Sequence, residues 1–533
     1  MRLDYLMVEE YKNLRNFEID FDQGKLTTVL IGENGAGKSN LIEALVLIFR
    51  EIDFGRAPPF NYHLRYKIRS YSIEIIATIA ATAAKSYNIK LTEKGAQERS
   101  IPFSRFRENN DFLPRYVFAY YSGPSERLKS LFQPHQKQYY EHILRQEELS
   151  NFELRRLFYC LPEHSKFVLL SYFIQSDTSH DFLNQYFGVT AFESALLVLR
   201  RPPWAKDNPN AEAKKRGDER FWYARGVVKT FLSKLWENSL APIRTYESSQ
   251  DDYRSKHSLE ERIYLYIPNL DSLQELAREW ATPSSFFASL ESTYISDLVR
   301  DVRIRVRHEG MNNPLLFSEL SEGEQQLLAV VGLLRFTRTE ESLFLLDEPD
   351  THLNPRWKLR YLDVLEKEVG RSQTSQMIIS THDPLTIAGL EADQVQIFSR
   401  QHGHASARRP EADPRGMGVA GVLTRMFGLP STLDPHTQAK LDERNELAML
   451  KAPNKKQMAR MRELTDELAT LGVSYPARDP RYERFLEALR KWEKHTQRKF
   501  SQESVQHQDE IAKKLLEELL SEEEGSQHDI HPS

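Results

Sequence analysis

The chain has 533 residues, 28% charged and 40% hydrophobic, with a formal charge of −5. That suits a globular protein of about two to four structural units and excludes a uniformly basic nucleic-acid coat. A single cysteine, Cys160, excludes a disulfide framework and points to a reducing compartment.

Residues 1–123 read as strands with one helix. Arg2–Val8, Phe17–Phe21, Leu26–Ile31, Tyr71–Ala80, Tyr87–Leu91 and Tyr116–Tyr121 are short apolar or alternating runs broken by Asn, Asp and Gly. Leu26–Ile31 runs into Gly32-Glu33-Asn34-Gly35-Ala36-Gly37-Lys38-Ser39 and then into the helical SNLIEALVLIF. A strand, this glycine spacing and a helix together make a P-loop. Its backbone N–H groups can curl around a β-phosphate, and the helix dipole favours the anion. Lys38 is expected at the β- and γ-phosphates and Ser39 on Mg²⁺. The full set expected around ATP here is Gly32, Asn34, Gly35, Gly37, Lys38, Ser39 and Asn40.

Residues 124–299 read as a mostly helical, aromatic-rich insertion, as in HILRQEEL and NFELRRLFYCL. A loop-like stretch, residues 200–221, interrupts it. There Arg200, Arg201, Lys206, Lys214, Lys215 and Arg216, with Trp204, could hold phosphates and stack a base. Asp207, Glu212, Asp218 and Glu219 dilute that charge, and composition favours a solvated loop.

Residues 300–400 return to alternating strand and helix, the mark of a mostly parallel α/β layer. Leu343–Leu346 is an apolar strand running into Asp347-Glu348. This is a Walker B element, with Asp347 expected to hold Mg²⁺ and Glu348 to orient or deprotonate the attacking water. A second apolar strand, QMIIS, ends at Thr381-His382-Asp383, so His382 should face the crevice beyond the sheet. Between insertion and Walker B lies Leu320-Ser321-Glu322-Gly323-Glu324-Gln325-Gln326, ahead of the helical LLAVVGLLRF. A hydroxyl and N–H groups at a helix start are again suited to phosphate.

Residues 401–430 read as a linker and 431–533 as a helical appendage. Asp434-Pro435 and Asp479-Pro480 give helix starts, and Gly472 closes the helix carrying Leu464, Leu468 and Leu471. Ile511, Leu515 and Leu519 share one helix face, which would dock in a partner's groove or pack on its own protomer. Glu522–Glu524 and the tail GSQHDIHPS read as disordered. No run approaches the roughly 20 apolar residues of a membrane span, and MRLDYLMVEEYKNL lacks a signal-peptide core. A cytoplasmic chain with no membrane partner is expected.

LSEGEQQ resembles the signature motif of ABC-type ATPases, and it lies in order between the P-loop and the Walker B element, with His382 after them. The resemblance implies an α/β fold: a split ABC-type ATPase head with an α-helical insertion and an α-helical C-terminal appendage. It also implies that Ser321 and Gly323 bind the γ-phosphate held by another protomer, so that two chains sandwich two Mg-ATP molecules head to tail. His382 would be the switch histidine. DEPDTHLN covers the D-loop, but Asn354 stands where transporters carry Asp, which resembles soluble RecF-like and overcoming-lysogenization-defect ATPases. Gln133, Gln136 and Gln138 are open candidates for the Q-loop. Arg15 reads as a surface residue, with phosphate or adenine as its alternative.

YYSGPSERL (120–128), LSEGEQQLL, DEPDTHLNPRW and LDERNEL (441–447) are similar to PtuA-type ATPases of Septu and retron-associated anti-phage systems, across residues 1 to about 490. By that resemblance the chain forms a homodimer or higher homo-oligomer and controls an HNH-type nuclease encoded beside it. In retron versions a reverse transcriptase and its DNA–RNA hybrid join it. The alternative is a stand-alone RecF-like repair ATPase. A fused Toprim nuclease would need an Asp-x-Asp pair for its metals, and none follows His382. Arg490 and His495 have an RNase-like spacing, but the stripe Tyr482, Phe485, Leu486 and Leu489 reads as an amphipathic helix.

Overall fold

The computed structural model describes residues 1–21, 24–145, 154–174, 178–249, 258–337, 341–369, 374–401, 403–450 and 453–471, with isolated positions between 488 and 517. The expectations on Gly472, Asp479, Arg490, His495, Leu519 and the tail lie outside the described residues. The chain divides into two compact units, Met1–Ile387 with Asp393–Arg408, and Ala388–Ala392 with Arg409–Ser533.

In the first unit, alternating sequence makes an antiparallel sheet. It contains β1 (Arg2–Tyr11), β2 (Leu14–Asp20), β4 (Tyr62–Ile68), β5 (Tyr71–Ala77), β6 (Tyr87–Glu93) and β7 (Arg99–Ile101), in the order β2-β1-β4-β5-β6-β7. Tyr62, Leu64, Tyr66 and Ile68 of β4 point into the core while Arg65 and Lys67 face out, the period of two that a one-sided sheet requires.

The second sheet has seven strands, ordered β18-β17-β3-β16-β15-β8-β9. They are β3 (Thr27–Gly32), β8 (Tyr116–Tyr121), β9 (Leu157–Tyr159), β15 (Ser342–Asp347), β16 (Gln376–Ser380), β17 (Val395–Gln401) and β18 (His404–Arg408). Every pairing is parallel except β17 with β18. All residues of β3, β15 and β16 are buried, which is why each shows an apolar run rather than an alternation. Strands β3 and β8 from early in the chain flank β15 and β16 from late in it, so the head is split as expected. β3, β16, β15 and β8 all point the same way, and their C-terminal ends bring Gly32, Thr381, Glu348 and Ser122 to one edge of the sheet.

The insertion departs from its expected mostly helical character. It carries helices such as His164–Phe173, Gly226–Glu237 and Pro283–Ile295, but also β9 and most of a third, antiparallel sheet. That sheet is ordered β11-β12-β10-β13-β14, from β10 (Val189–Arg200), β11 (Leu240–Ser249), β12 (Ser258–Ile267), β13 (Val299–His308) and β14 (Leu315–Leu316). The alternation that should have marked these strands is blurred. Register shifts interrupt β10, and β11 carries outward Leu240, Ile243 and Tyr246 at 62%, 58% and 63% exposure. The linker assigned to 401–430 is also corrected. Residues 404–408 form β18 on the edge of the head sheet, and Gly418–Arg425 is a helix. Gly403, at φ 87, makes the tight turn between β17 and β18 that a polar, glycine-containing stretch disguises as a linker.

In the second unit, Asp434 caps the helix Pro435–Ala448 through the N–H groups of His436 and Thr437. Asn454 and Gln457 form a capping box on Lys455–Thr470. Leu464 and Leu468 are buried, and Arg460–Glu443 and Lys440–Glu467 pairs at 2.8 and 2.7 Å link the two helices. Ile511 and Leu515 are buried too.

Inside the insertion His164 is sealed among Phe158, Phe167, Phe287 and Tyr294. Its Nδ1 accepts the Leu161 N–H at 3.0 Å, so the neutral ring is the one that fits. Burial, with Arg155 nearby, pushes its pKa from 6.5 down to about 3. Between those values the unfolded chain binds a proton that the folded chain refuses. The folded state therefore loses stability as pH falls from 6.5 toward 3, and the effect vanishes above 6.5. His164→Phe is expected to flatten that loss, whatever its offset at neutral pH. Urea midpoints measured across this range for both chains check it.

Candidate nucleotide site

The P-loop is built where β3 meets the helix Lys38–Phe54. Gly32 has φ 132, and a Cβ there would lie 2.0 Å from the Phe398 carbonyl oxygen on β17, so only glycine lets the loop leave the sheet at this point. Asn34 and Gly35 are exposed at the loop's tip. Lys38 is buried and folds back over the loop, its Nζ donating to the Gly32 and Glu33 carbonyls at 2.9 and 3.1 Å. Burial lowers its pKa from 10.5 to about 8, against the pull of Glu348 and Asp347. Asn13, in the turn between β1 and β2, braces the loop. Its Nδ2 donates to Gly35 O at 3.0 Å, and its Oδ1 accepts from Asn40 Nδ2 at 2.6 Å. Asn40 is therefore engaged with Asn13.

At the end of β15, Asp347 is buried and accepts hydrogen bonds from Ser380 and Ser39. Burial pushes its carboxyl pKa upward. A hydroxyl and a carboxylate brought together are hard oxygen donors that suit Mg²⁺ shared with phosphates. Among the described residues no group of three or more His, Cys, Asp and Glu could hold a metal by themselves.

Glu348 adopts φ 53, a left-handed conformation that costs a non-glycine residue about 1–3 kcal/mol. Its N–H donates to Ser380 O at 3.0 Å, which fixes the kink against β16. Its carboxylate lies 3.0 Å from His382 Nε2. The His382 hydrogen bond holds the Glu348 carboxyl below its ordinary pKa, with Lys38 contributing. An ionised carboxylate is able to accept a proton, and this one is held in that form at neutral pH. His382→Ala releases that carboxyl upward, so the acidic limb of the hydrolysis–pH profile is expected to move to higher pH. Steady-state rates across pH, at saturating ATP, check the direction.

Ser321 caps the helix Glu322–Thr337. Ser321 N–H and Oγ donate to Glu324 Oε2 at 2.9 and 2.7 Å, and Glu324 N–H donates back to Ser321 Oγ at 3.3 Å. Ser321 is exposed. Gly323 packs on the D-loop, where an added Cβ would sit 2.6 Å from His352 O. Gln326 donates to Pro349 O at 2.6 Å. Asp350, buried, accepts from Thr381 and Thr386 at 2.6 and 2.5 Å. Ser122 donates to Thr351 at 3.0 Å, and Thr351 Oγ1 donates to Glu348 O at 2.9 Å. The signature helix and the ends of β8, β15 and β16 are therefore one connected structure.

Lys38, Ser39, Asp347, Glu348 and His382 are brought together. Gln133, Gln136 and Gln138 lie on the helix Gln133–Ile143, and exposed Arg15 on β2 pairs at 3.3 Å with Glu10, its cross-strand partner on β1. Sequence reading missed Asn13 and Ser380. It also missed the buried Glu43 on the P-loop helix, whose carboxylate takes Tyr11, Lys12 and Arg127. Arg127 lies within the YYSGPSERL segment, which was the available signal.

The segments that carry these motifs match two family models. Residues 1–154 match the family model for an AAA ATPase domain. Residues 187–388 match the model described as an AAA domain, putative AbiEii toxin, type IV TA system. Among solved structures, the SMC head domain from Thermotoga maritima aligns at TM-score 0.32 and 13% identity, covering 77% of this chain and 99% of that one. The recombination mediator RecF aligns at TM-score 0.28 and 14% identity, covering 76% and 97%. The parallel sheet with its P-loop, Walker B and signature elements defines an α/β ATPase head of the ABC type.

Within that class the chain resembles the PtuA-type ATPases of defence systems. It is 25% identical to Septu protein PtuA of Bacillus mycoides over 193 residues, 34% of this chain and 27% of the relative. It is 22% identical to the Retron Vc95 probable ATPase of Vibrio cholerae over 466 residues, 80% of this chain and 79% of the relative. RecF of Leptospira interrogans is 28% identical over 146 residues, 24% of this chain and 37% of the relative. The alignment thus spans about a quarter of the Septu relative's length and about four fifths of the retron relative's.

Proposed function

We propose that this chain is a cytoplasmic ATPase subunit of an anti-phage defence complex, which binds and hydrolyses Mg-ATP as a head-to-tail dimer and controls a separate HNH-type nuclease. The observation that carries the chemistry is the Glu348 carboxylate, held ionised by His382 at 3.0 Å, beside Asp347 and Ser39 and within the field of Lys38. Lys38 swings from the Gly32 and Glu33 carbonyls to the β- and γ-phosphates, Gly35 and Gly37 offer backbone N–H groups, and Asn34 lines the loop's tip. Ser39 and Asp347 hold Mg²⁺, which when bound neutralises charge on the phosphates. Glu348 takes the proton of the attacking water, and His382 keeps that carboxylate placed. Ser321 and Gly323 serve the partner's nucleotide.

The nuclease partner rests on similarity to PtuA and the retron ATPase, and a reverse transcriptase with its DNA–RNA hybrid is the further partner of the retron arrangement. The stand-alone RecF-like reading is the competitor, favoured by the shorter RecF matches. Tagged Glu348→Gln chain purified with Mg-ATP from its own gene neighbourhood separates the two. A stoichiometric small nuclease in the eluate supports the defence complex. Chain eluting alone, or with random duplex DNA, supports the repair ATPase.

A further inference from the structure

A cavity of about 210 Å³ lies in the insertion and shares no residue with the Lys38 site. Its walls come from the helix Gln133–Ile143, the loop around Trp204, the turn Trp222–Arg225 and Ser296. Four of its residues are aromatic or indole rings, Tyr140, Trp204, Trp222 and Tyr223, and two are cations, Lys206 and Arg225. Among the described residues no carboxylate lines it. Glu212 approaches Arg225 only at 3.9 Å.

The two indoles are fixed in advance. Trp204 donates its indole N–H to Ser296 O at 2.7 Å, and Trp222 donates to Glu261 Oε2 at 2.6 Å. Trp222 and Tyr223 are consecutive non-glycine residues at φ 51 and 64. Such strain persists only where surrounding contacts impose it, and it gathers at binding sites. Here Asp218 imposes it, bonding Tyr223 N–H and Ala224 O through its backbone at 2.8 and 3.1 Å. The cavity is smaller than the roughly 300–1,000 Å³ of drug-sized ligand sites. It suits one planar ring system, with any charged substituent left at the mouth near Lys206 and Arg225.

We infer that this cavity binds a nucleotide, its base held against Trp204 and Trp222 and its phosphate by Lys206 and Arg225. Aromatic faces accept every base, and the cations supply the anion contact. The site is separate from ATP turnover, and it survives even if the defence reading of the chain fails. The nucleotide is either free in solution or part of a single strand, and the test distinguishes these sources.

Full-length Lys38→Ala chain, which suppresses binding at the P-loop, is titrated with radiolabelled AMP, GMP, CMP and UMP, then with short single-stranded DNA and RNA. Saturable binding of one nucleotide per chain is expected. Trp204→Ala and Arg225→Glu in that background should each weaken it about tenfold or more. Trp204→Phe and Arg225→Lys should restore most of it, and matched melting temperatures confirm that the variants fold. Binding of mononucleotides identifies a free ligand; binding of oligonucleotides alone identifies a strand. No binding of any probe, or equal affinity in Trp204→Ala and Arg225→Glu, overturns the assignment.

Discussion

Glu348→Gln is expected to retain ATP while its hydrolysis falls about 10²–10⁴-fold, the range a positioned general base contributes. The amide keeps the shape of the side chain and can still bond His382 Nε2, 3.0 Å away, but it cannot accept the proton of the attacking water. The kink at φ 53 and the bond from Glu348 N–H to Ser380 O involve only backbone on the Glu348 side, so the substitution leaves the local fold alone. Lys38→Ala is expected to fail differently, because it removes the buried cation proposed to contact the phosphates. Phosphate release and nucleotide retention, measured on both variants, separate the two defects. A Glu348→Gln chain that hydrolyses ATP at the native rate removes Glu348 from the role of base.

The parts of this site that sequence makes legible are those whose chemistry follows directly on a buried strand. β3, β15 and β16 are covered on both faces, so each carries an apolar run, Val29–Ile31, Leu343–Leu346 or Met377–Ile379, that leads into candidate residues: Gly32 onward, Asp347-Glu348, and Thr381-His382. What sequence cannot display is register. Ser380 looks like the last residue of a strand until β15 and β16 pair Asp347 with Ser380, which puts its hydroxyl on the Walker B carboxylate. Asn13 belongs to a turn before the P-loop strand, and nothing local marks it as the brace of Gly35 and Asn40.

The same reasoning explains the strands that were overlooked. β4 alternates as a strand should, but its outward His63, Arg65 and Lys67 leave too little apolar density to stand out. In the insertion, β12 buries Ile263, Leu265 and Ile267 while Tyr264 and Tyr266 sit between them. The aromatic content therefore fills both faces and the period of two disappears. Helices nearby, rich in Phe and Leu, then dominate the reading.

The exposed signature turn leads to the second large effect. Ser321 is already capped by Glu324 of its own chain, and a second chain's nucleotide would take over the cap's N–H groups and hydroxyl. If the site is shared in that way, Lys38→Ala and Ser321→Arg chains are each inactive alone but complement one another. In a mixed dimer one composite site carries both lesions, while the other pairs an intact P-loop with an intact signature. Random assembly of equal amounts makes half the dimers mixed, so phosphate release should return to roughly a quarter of the native rate at the same total chain concentration. Co-expression under two different tags, with purification through both, enriches the mixed dimer and should raise that to about half. A mixture that stays as inactive as its components means that each chain completes its own site, and the head-to-tail dimer must then be abandoned.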